Sequence, residues 1–272
     1  MVTFRTLLFV PGARPERFPK AGAAGADTVC IDLEDAVPPH QKEQARAEAM
    51  AFLQADTSGR FGLRINGVTT APFAADCEAL RAAPKSAAFV MVPKLETAEQ
   101  VALVRERIGP DCPPVWPVIE SPEGLRNAWD IAAAPGVGGV LFGGADYSAE
   151  IGSDMEWDAL AFARGQLVAA CARGGVELLD VPYLDIKDPE GLIATTTRVK
   201  AMGFTGRSCI HPDQVAPVNT VFTSSPAAVA HAQRVMEAFE AAEGGAVQLD
   251  GKLIDLPVIR AAQRTLERAG GA

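Results

Sequence analysis

Residues 115–148 read VWPVIESPEGLRNAWDIAAAPGVGGVLFGGADYS, and the fold turns on how this stretch is parsed. Two apolar runs, Val115–Ile119 and Val137–Phe142, bracket a helical segment. Ser121–Pro122 opens that segment, with serine at the cap and proline at the first helical position, and Pro135–Gly136 closes it. Each run leads into an acidic residue: Glu120 directly, and Asp146 after Gly143, Gly144 and Ala145. Strand, helix, strand in succession implies parallel pairing, so both carboxylates reach the same sheet edge. Two carboxylates there can hold a hard divalent cation such as Mg²⁺ and still leave positions for water and substrate oxygens. Acidic residues after strands also serve as helix caps, but Ser121 already fills that role after Glu120.

The same alternation extends outward in both directions. Upstream lie apolar runs at Thr6–Val10, Thr28–Leu33, Gly62–Ile65 and Ala88–Val92; downstream lie Glu177–Val181 and the more polar Gly206–Ile210. Helical patterns separate them at Arg14–Gly25, Gln41–Gln54, Thr70–Ala82, Thr97–Ile108, Glu156–Arg173 and Pro189–Met202. Eight strand-like runs alternating with helices predict a (β/α)8 TIM barrel. A doubly wound open sheet is the alternative, and no early GxGxxG fingerprint supports it. After Ile210 the pattern changes to helices at His211–Phe222, Ala227–Ala242 and Pro257–Ala269, with a hairpin over Gly244–Leu253 turning at Asp250–Gly251. The expected division is therefore a barrel over residues 1–222 and a C-terminal helical and hairpin extension over 223–272, packing on a neighbouring subunit or over the barrel mouth.

Composition excludes several classes. The net charge of −9 over 272 residues, without clustered Lys or Arg, argues against nucleic acid and against an anionic membrane surface. Leu7–Val10 is too short for a signal peptide and is ended by Pro11–Gly12, and no apolar run reaches membrane-spanning length. Five cysteines without CxxC spacing suggest neither a disulfide framework nor a thiolate metal site. A cytoplasmic globular protein is expected.

Residues just after the strands of a barrel converge on one face. Here they are Arg14, Asp32, Glu34, Asp35, Arg64, Lys94, Glu120, Asp146, Asp180 and Ser208. Arg64, inside the run GLRIN, suits a carboxylate or enolate oxygen, since guanidinium binds such groups in bidentate fashion. An ion pair with Asp32 or Glu34 is its alternative use. His211–Pro212 reads as a helix start rather than a ligand contact.

Taken together, LLFVPGARPERFPKA, IDLEDAV, LRING, VPKLE, IESPEGLRNA, FGGADYS, GFTGRSCIHPDQV and GKLIDLPVIRAAQ resemble the citrate lyase β-subunit family of the HpcH/HpaI aldolase superfamily, in order from about residue 4 to 265. Malyl-CoA and citramalyl-CoA lyases are its relatives. The resemblance implies a homotrimeric barrel that binds Mg²⁺ and cleaves or forms a carbon–carbon bond beside a CoA or acyl-carrier thioester, with oxaloacetate, pyruvate or glyoxylate as the oxo acid. It implies Glu120 and Asp146 as metal ligands and Arg64 as the contact to the oxo acid and enolate. Asp255 matches an aspartate that serves a neighbour's site as acid and base. Arg14, Asp32, Glu34 and Lys94 fall in family motifs as supporting substrate contacts, and Gly144 and Ala145 sit where backbone amides approach the substrate carboxylate. The chain departs from the pattern at Arg207, where lysine is common and a thioester-carrier contact is at stake, and at Tyr147 and Leu253. A complex with an acyl carrier protein, an aldolase that uses no thioester, and a non-catalytic oxo-acid-binding subunit are the competing readings.

Overall fold

The computed structural model describes residues 4–241 and 247–270. The chain divides into a barrel unit, Phe4–Asn219, and a smaller unit that begins at Thr220. In the barrel unit the strands are β1 Thr6–Pro11, β2 Thr28–Asp32, β3 Phe61–Arg64, β4 Val90–Val92, β5 Val115–Ile119, β6 Gly139–Phe142, β7 Glu177–Asp180 and β8 Gly206–Cys209. All eight pair in parallel with their sequence neighbours, and β8 returns to β1 to close the cylinder. This is the barrel that the alternating runs predict.

The helices around it are α1 Phe18–Gly22, α2 Lys42–Ala55, α3 Phe73–Ala82, α4 Ala98–Ile108, α5 Pro122–Arg126, α6 Ala128–Ala132, α7 Gly144–Ile151, α8 Trp157–Gly174 and α9 Pro189–Met202. Three differ from expectation. The Arg14–Gly25 segment becomes a short 3₁₀ turn at Pro15–Arg17 followed by α1, because Pro15 and Pro19 each lack a backbone donor. The single helix expected after Ser121 breaks at Asn127, whose side chain donates to the Glu96 carbonyl at 2.9 Å and to Glu123 at 2.8 Å. Residues from Gly144 onward, read as a turn, form the helix α7, which ends at Gly152 in the left-handed conformation with φ 70°.

Strand pleating decides what fills the barrel. Successive side chains alternate between the lumen and the helical layer. Leu7, Cys30, Phe89, Met91, Trp116, Val118, Leu141 and Leu179 form one buried lumen cluster. Phe89 and Trp116 stack with ring centroids 5.1 Å apart, and Phe4 approaches Trp116 at 5.7 Å. Glycines at lumen positions make room for these rings. A Cβ on Gly139 would stand 2.9 Å from the Trp116 ring, and one on Gly62 would collide with Phe89. Two residues further along the same pleat come the polar lumen positions Asp32, Arg64 and Glu120. The lower lumen is thus an apolar plug and the upper lumen a charged site.

The smaller unit contains α10 Val215–Phe222 from Thr220 onward, α11 Pro226–Ala241, the antiparallel hairpin β9 Val247–Leu249 and β10 Lys252–Ile254, and α12 Leu256–Gly270. Asp250 and Gly251 turn the hairpin with φ 50° and 77°, as the Asp-Gly pair predicts. Gly244, Gly245 and Ala246, read as its start, lie outside the described residues. Ala232, Val235, Ile254, Ile259 and Ala262 form its own core. Among the described residues no helix is long and apolar enough to cross a membrane.

The plug gives a stability test. Gly62→Ala should lower the unfolding free energy by about 1–3 kcal/mol through overpacking. Phe89→Leu in the same chain should restore part of that loss in urea unfolding. A neutral Gly62→Ala would show that the ring does not need the space.

Candidate active site

The site begins with β2 and β3. Asp32 and Arg64 are register partners, so their lumen-facing side chains meet at the strand ends. Arg64 donates from Nε to Asp32 Oδ1 at 2.7 Å and from Nη2 to Oδ2 at 2.6 Å, a bidentate pair. Asp32 also ties down its own loop, accepting from the Glu34 N–H at 2.8 Å and the Ala36 N–H at 3.2 Å. The Phe9 ring lies 5.1 Å from the guanidinium carbon. Burial opposes the charge on Arg64, but the bonds from Asp32 outweigh it and its pKa rises. The ion pair anticipated as the alternative use of Arg64 is therefore formed.

The third nitrogen of Arg64 is placed differently. Nη1 lies 3.0 Å from Glu34 Oε2 and 4.0 Å from the exposed Asp35 carboxylate. Glu34 Oε2 is buried without a hydrogen-bond partner among the described residues, so this is a charge contact off the N–H direction. Burial pushes the Glu34 carboxyl up to about 7, with Arg64 acting against it and Asp35 and Asp32 adding to it.

Glu120 follows β5 and is 4 % exposed. Its Oε1 accepts the Lys94 N–H at 2.9 Å. Lys94 takes φ 49° to aim that N–H, a conformation seldom adopted by a residue with a Cβ, while its side chain is exposed. On the other side, a Cβ on Gly143 would stand 2.5 Å from both Cβ and Oε2 of Glu120. Glycine is needed there to seat the carboxylate. Burial first, and Asp146 second, push Glu120 up to about 8. Asp146 is exposed and lies in the first turn of α7, not on the strand end. Ser121 caps α5 by accepting the Gly124 N–H at 3.0 Å, so Glu120 is released from capping as expected.

These groups make an all-oxygen donor set. A buried carboxylate destabilised by a second one beside it is relieved by a cation, and hard cations prefer such oxygens. Among the described residues no group of three or more His, Cys, Asp or Glu side chains is arranged to hold a metal. Glu120 and Asp146 are two carboxylates, the second close enough to raise the first's cost of ionisation, and such a pair could hold a hard cation with further positions open to water or substrate. Gly144 and Ala145 lie in the first turn of α7, where backbone N–H groups have no acceptor within the helix.

Other expected residues fall elsewhere. Arg14 is exposed at the start of the 3₁₀ turn after β1. Asp180 does not reach the mouth. Leu179 faces the lumen, so the pleat turns Asp180 outward, where Arg164 donates to it at 3.0 Å and Arg207 stands 3.7 Å away. Arg207 is only 2 % exposed and donates to the Val181 carbonyl, Thr195 and Thr196, so it is closed to a thioester carrier. His211 accepts the Asp213 N–H at 3.3 Å, a helix-start role. Tyr147 packs on Phe142 at 5.8 Å. Asp255 belongs to the smaller unit, where its Oδ1 accepts the Val258 N–H at 3.4 Å at the start of α12. It is exposed, between exposed Leu253 and Leu256. Sequence reasoning missed Gly143 and the Lys94 backbone. A glycine pair beside an acidic strand end was the available signal for the first.

Known proteins resemble this chain along nearly its whole length. Residues 5–212 match the family described as HpcH/HpaI aldolase/citrate lyase. A (3S)-malyl-CoA thioesterase of Cereibacter sphaeroides is 37% identical over 98% of this chain and 94% of its own. An L-malyl-CoA/beta-methylmalyl-CoA lyase of the same species is 34% identical over 97% and 94%. The crystal structure of CitE from Mycobacterium tuberculosis in complex with magnesium, acetoacetate and coenzyme A superposes with a TM-score of 0.84, at 35% identity and 98% coverage of both chains.

The raised carboxyl of Glu120 predicts a pH dependence. Its folded pKa of about 8 lies above its ordinary 4.5, so folding favours the protonated form. The contribution to stability is complete below pH 4.5 and is lost as pH rises through about 8. Urea midpoints of the metal-free protein should fall across that window, and Glu120→Gln should reduce the slope. A slope unchanged by the substitution would contradict the assignment.

Proposed function

The chain belongs to the HpcH/HpaI aldolase/citrate lyase family, and from that membership we propose how its site works. The protein is a Mg²⁺-dependent carbon–carbon lyase acting on citryl-, citramalyl- or malyl-type thioesters. It cleaves them into an oxo acid and an acetyl thioester, or forms them in reverse. The observation that carries this reading is the meeting, at one barrel mouth, of buried Glu120 and nearby Asp146 with the half-committed Arg64.

Glu120 and Asp146 would hold the ion. When bound, Mg²⁺ supplies a Lewis acid that lowers the pKa of the substrate hydroxyl and offsets charge on the oxo-acid oxygens. Arg64, fixed on Asp32 by two nitrogens, presents Nη1 to the carboxylate or enolate oxygen. The Gly144 and Ala145 amides bind the substrate carboxylate at the start of α7. Asp32 acts by positioning Arg64, and Glu34 sets its outer edge. The exposed cations Arg14 and Lys94 are assigned supporting contacts to the anionic substrate. As the carbon–carbon bond breaks, the substrate hydroxyl gives its proton to water and becomes the oxo-acid carbonyl, while protonated Asp255 delivers a proton to the enolate carbon; in condensation Asp255 takes a proton from the acetyl carbon and water returns one to the new hydroxyl. Exposed Leu253 and Leu256 beside Asp255 support delivery of this acid to a neighbouring subunit's mouth in a homotrimer. Cysteines free of disulfides support a reducing cytoplasm.

Oxaloacetate, pyruvate and glyoxylate are the candidate acids. The carrier is CoA or the thioester of an acyl carrier protein, and the Mycobacterium tuberculosis relative bound to coenzyme A supports the former. Thioester hydrolysis is a second reading, favoured by the relatives named as malyl-CoA thioesterases.

The test is to titrate metal-stripped protein with the three acids, with and without Mg²⁺, then add acetyl-CoA and follow products. Mg²⁺-dependent binding and condensation with one acid are expected. Glu120→Ala and Asp146→Ala should abolish both while the circular dichroism spectrum stays native. Full activity of either variant in metal-stripped buffer would sink the metal assignment. Release of malate and free CoA from malyl-CoA, without glyoxylate, would favour hydrolysis.

A second experiment addresses Asp255. Arg64→Ala should cost about 10²–10³ in rate, and Asp255→Ala should lose turnover but keep oxo-acid binding. Mixing the two inactive variants should recover activity through mixed trimers. No recovery would confine Asp255 to its own subunit.

A further inference from the structure

We infer that Lys42 is a positioning residue of the site, anchoring the loop that carries Glu34 and, through Glu34, setting the free edge of the Arg64 guanidinium. Lys42 is the first residue of α2, and its Nζ donates to the Leu33 carbonyl at 2.8 Å and the Glu34 carbonyl at 2.7 Å. A cation in the first turn opposes the helix macrodipole, where an acidic residue is preferred. The local rule is broken, and the two carbonyl contacts are what the ammonium does there.

The loop it holds is fixed from both sides. Asp32 takes the Glu34 and Ala36 N–H groups, while Lys42 takes the carbonyls of Leu33 and Glu34. Glu34 also accepts the Val37 N–H at 3.1 Å. Both backbone polar groups of Glu34 are therefore pinned, and its side chain starts from a fixed point. That point places Oε2 3.0 Å from Arg64 Nη1. Asp35, one residue on, is 72% exposed in its side chain and reaches only 4.0 Å. Without the ammonium, the Leu33 carbonyl loses the Lys42 donor and the Glu34 carbonyl keeps only the Val37 N–H, so the loop can swing Glu34 off Nη1, or onto it as a full hydrogen bond. Either movement changes the nitrogen left for substrate. Supporting groups of this kind typically change affinity or activity by about 10–100-fold when removed.

The inference rests on the proposed function only in taking Arg64 as the oxo-acid contact. Its test uses the full chain as Lys42→Met, Lys42→Arg, Glu34→Gln and the Lys42→Met/Glu34→Gln pair. Nitrogen NMR of the Arg64 guanidinium reports its surroundings without any substrate. Oxaloacetate binding in the presence of Mg²⁺ reports the consequence. Lys42→Met should shift the Arg64 signals and weaken binding about tenfold, and Lys42→Arg should restore most of the affinity. In the Glu34→Gln background Lys42→Met should add nothing, since the path through Glu34 is already cut. Unmoved Arg64 signals in Lys42→Met, or losses that simply multiply in the pair, would overturn the proposal. If Lys42→Met does not fold, Lys42→Gln, which keeps one donor, carries the same comparison. If the wild type binds no oxo acid, the proposed function fails, and the Arg64 signals still decide the role of Lys42.

Discussion

The pleat of a closed parallel sheet is the constraint on which the rest depends. Each strand residue faces either the lumen or the helices, and the choice alternates without exception along a regular strand. Leu7, Cys30, Met91, Val118, Leu141 and Leu179 face inward. The inward position two residues after Cys30 is Asp32, and the one after Val118 is Glu120. Gly62 makes room for Phe89, and Arg64 follows it on the same face. A slip of one residue in any of these strands would send its charge into the helical layer and its neighbour into the site. Asp180 shows the consequence: the same strand-end position, one residue out of phase, becomes the partner of Arg164.

Charge is the second level of organisation. The bidentate bond between Asp32 and Arg64 neutralises two groups against each other. Glu34, Glu120 and Asp146 remain, and burial first, with repulsion between carboxylates adding to it, holds Glu34 up to about 7 and Glu120 up to about 8. An anionic oxo acid meets an unfavourable field in such a mouth. A divalent cation reverses that field and lowers the carboxyl pKa values at the same time. On the proposed function, the cation would bind before the oxo acid, and Arg64 Nη1 would be the protein's own positive contact.

Much of this was legible in the sequence, for a physical reason. Strands buried on both faces must be short apolar runs, and eight of them alternating with helical patterns leave few architectures. The acidic pair was legible because Ser121 removed the competing capping role from Glu120. What stayed hidden depends on contacts between segments distant in sequence. Asn127 breaks its helix because Glu96 offers a carbonyl. The helix α7 was masked by its own glycines, which read as a turn. The burial of Arg207 is set by Val181, Thr195 and Thr196, and no local pattern announces it. No local pattern singles out Lys42, because its acceptors lie eight and nine residues upstream.

Glu120 shows how these levels meet in one side chain. Its carboxylate fits only because Gly143 has no Cβ, and register makes the strand before Gly143 the neighbour of the strand before Glu120. Its Oε1 is fixed by an N–H that Lys94 can aim only from the left-handed region, a strain of roughly 1–3 kcal/mol. A fold that stabilised this carboxylate for its own sake would not also bury it beside Asp146. The strain, the missing Cβ and the burial act together to hold one oxygen still and leave the other poorly solvated. That arrangement weakens the protein alone and would strengthen its hold on a cation, which is the direction expected of a carboxylate that serves binding rather than stability.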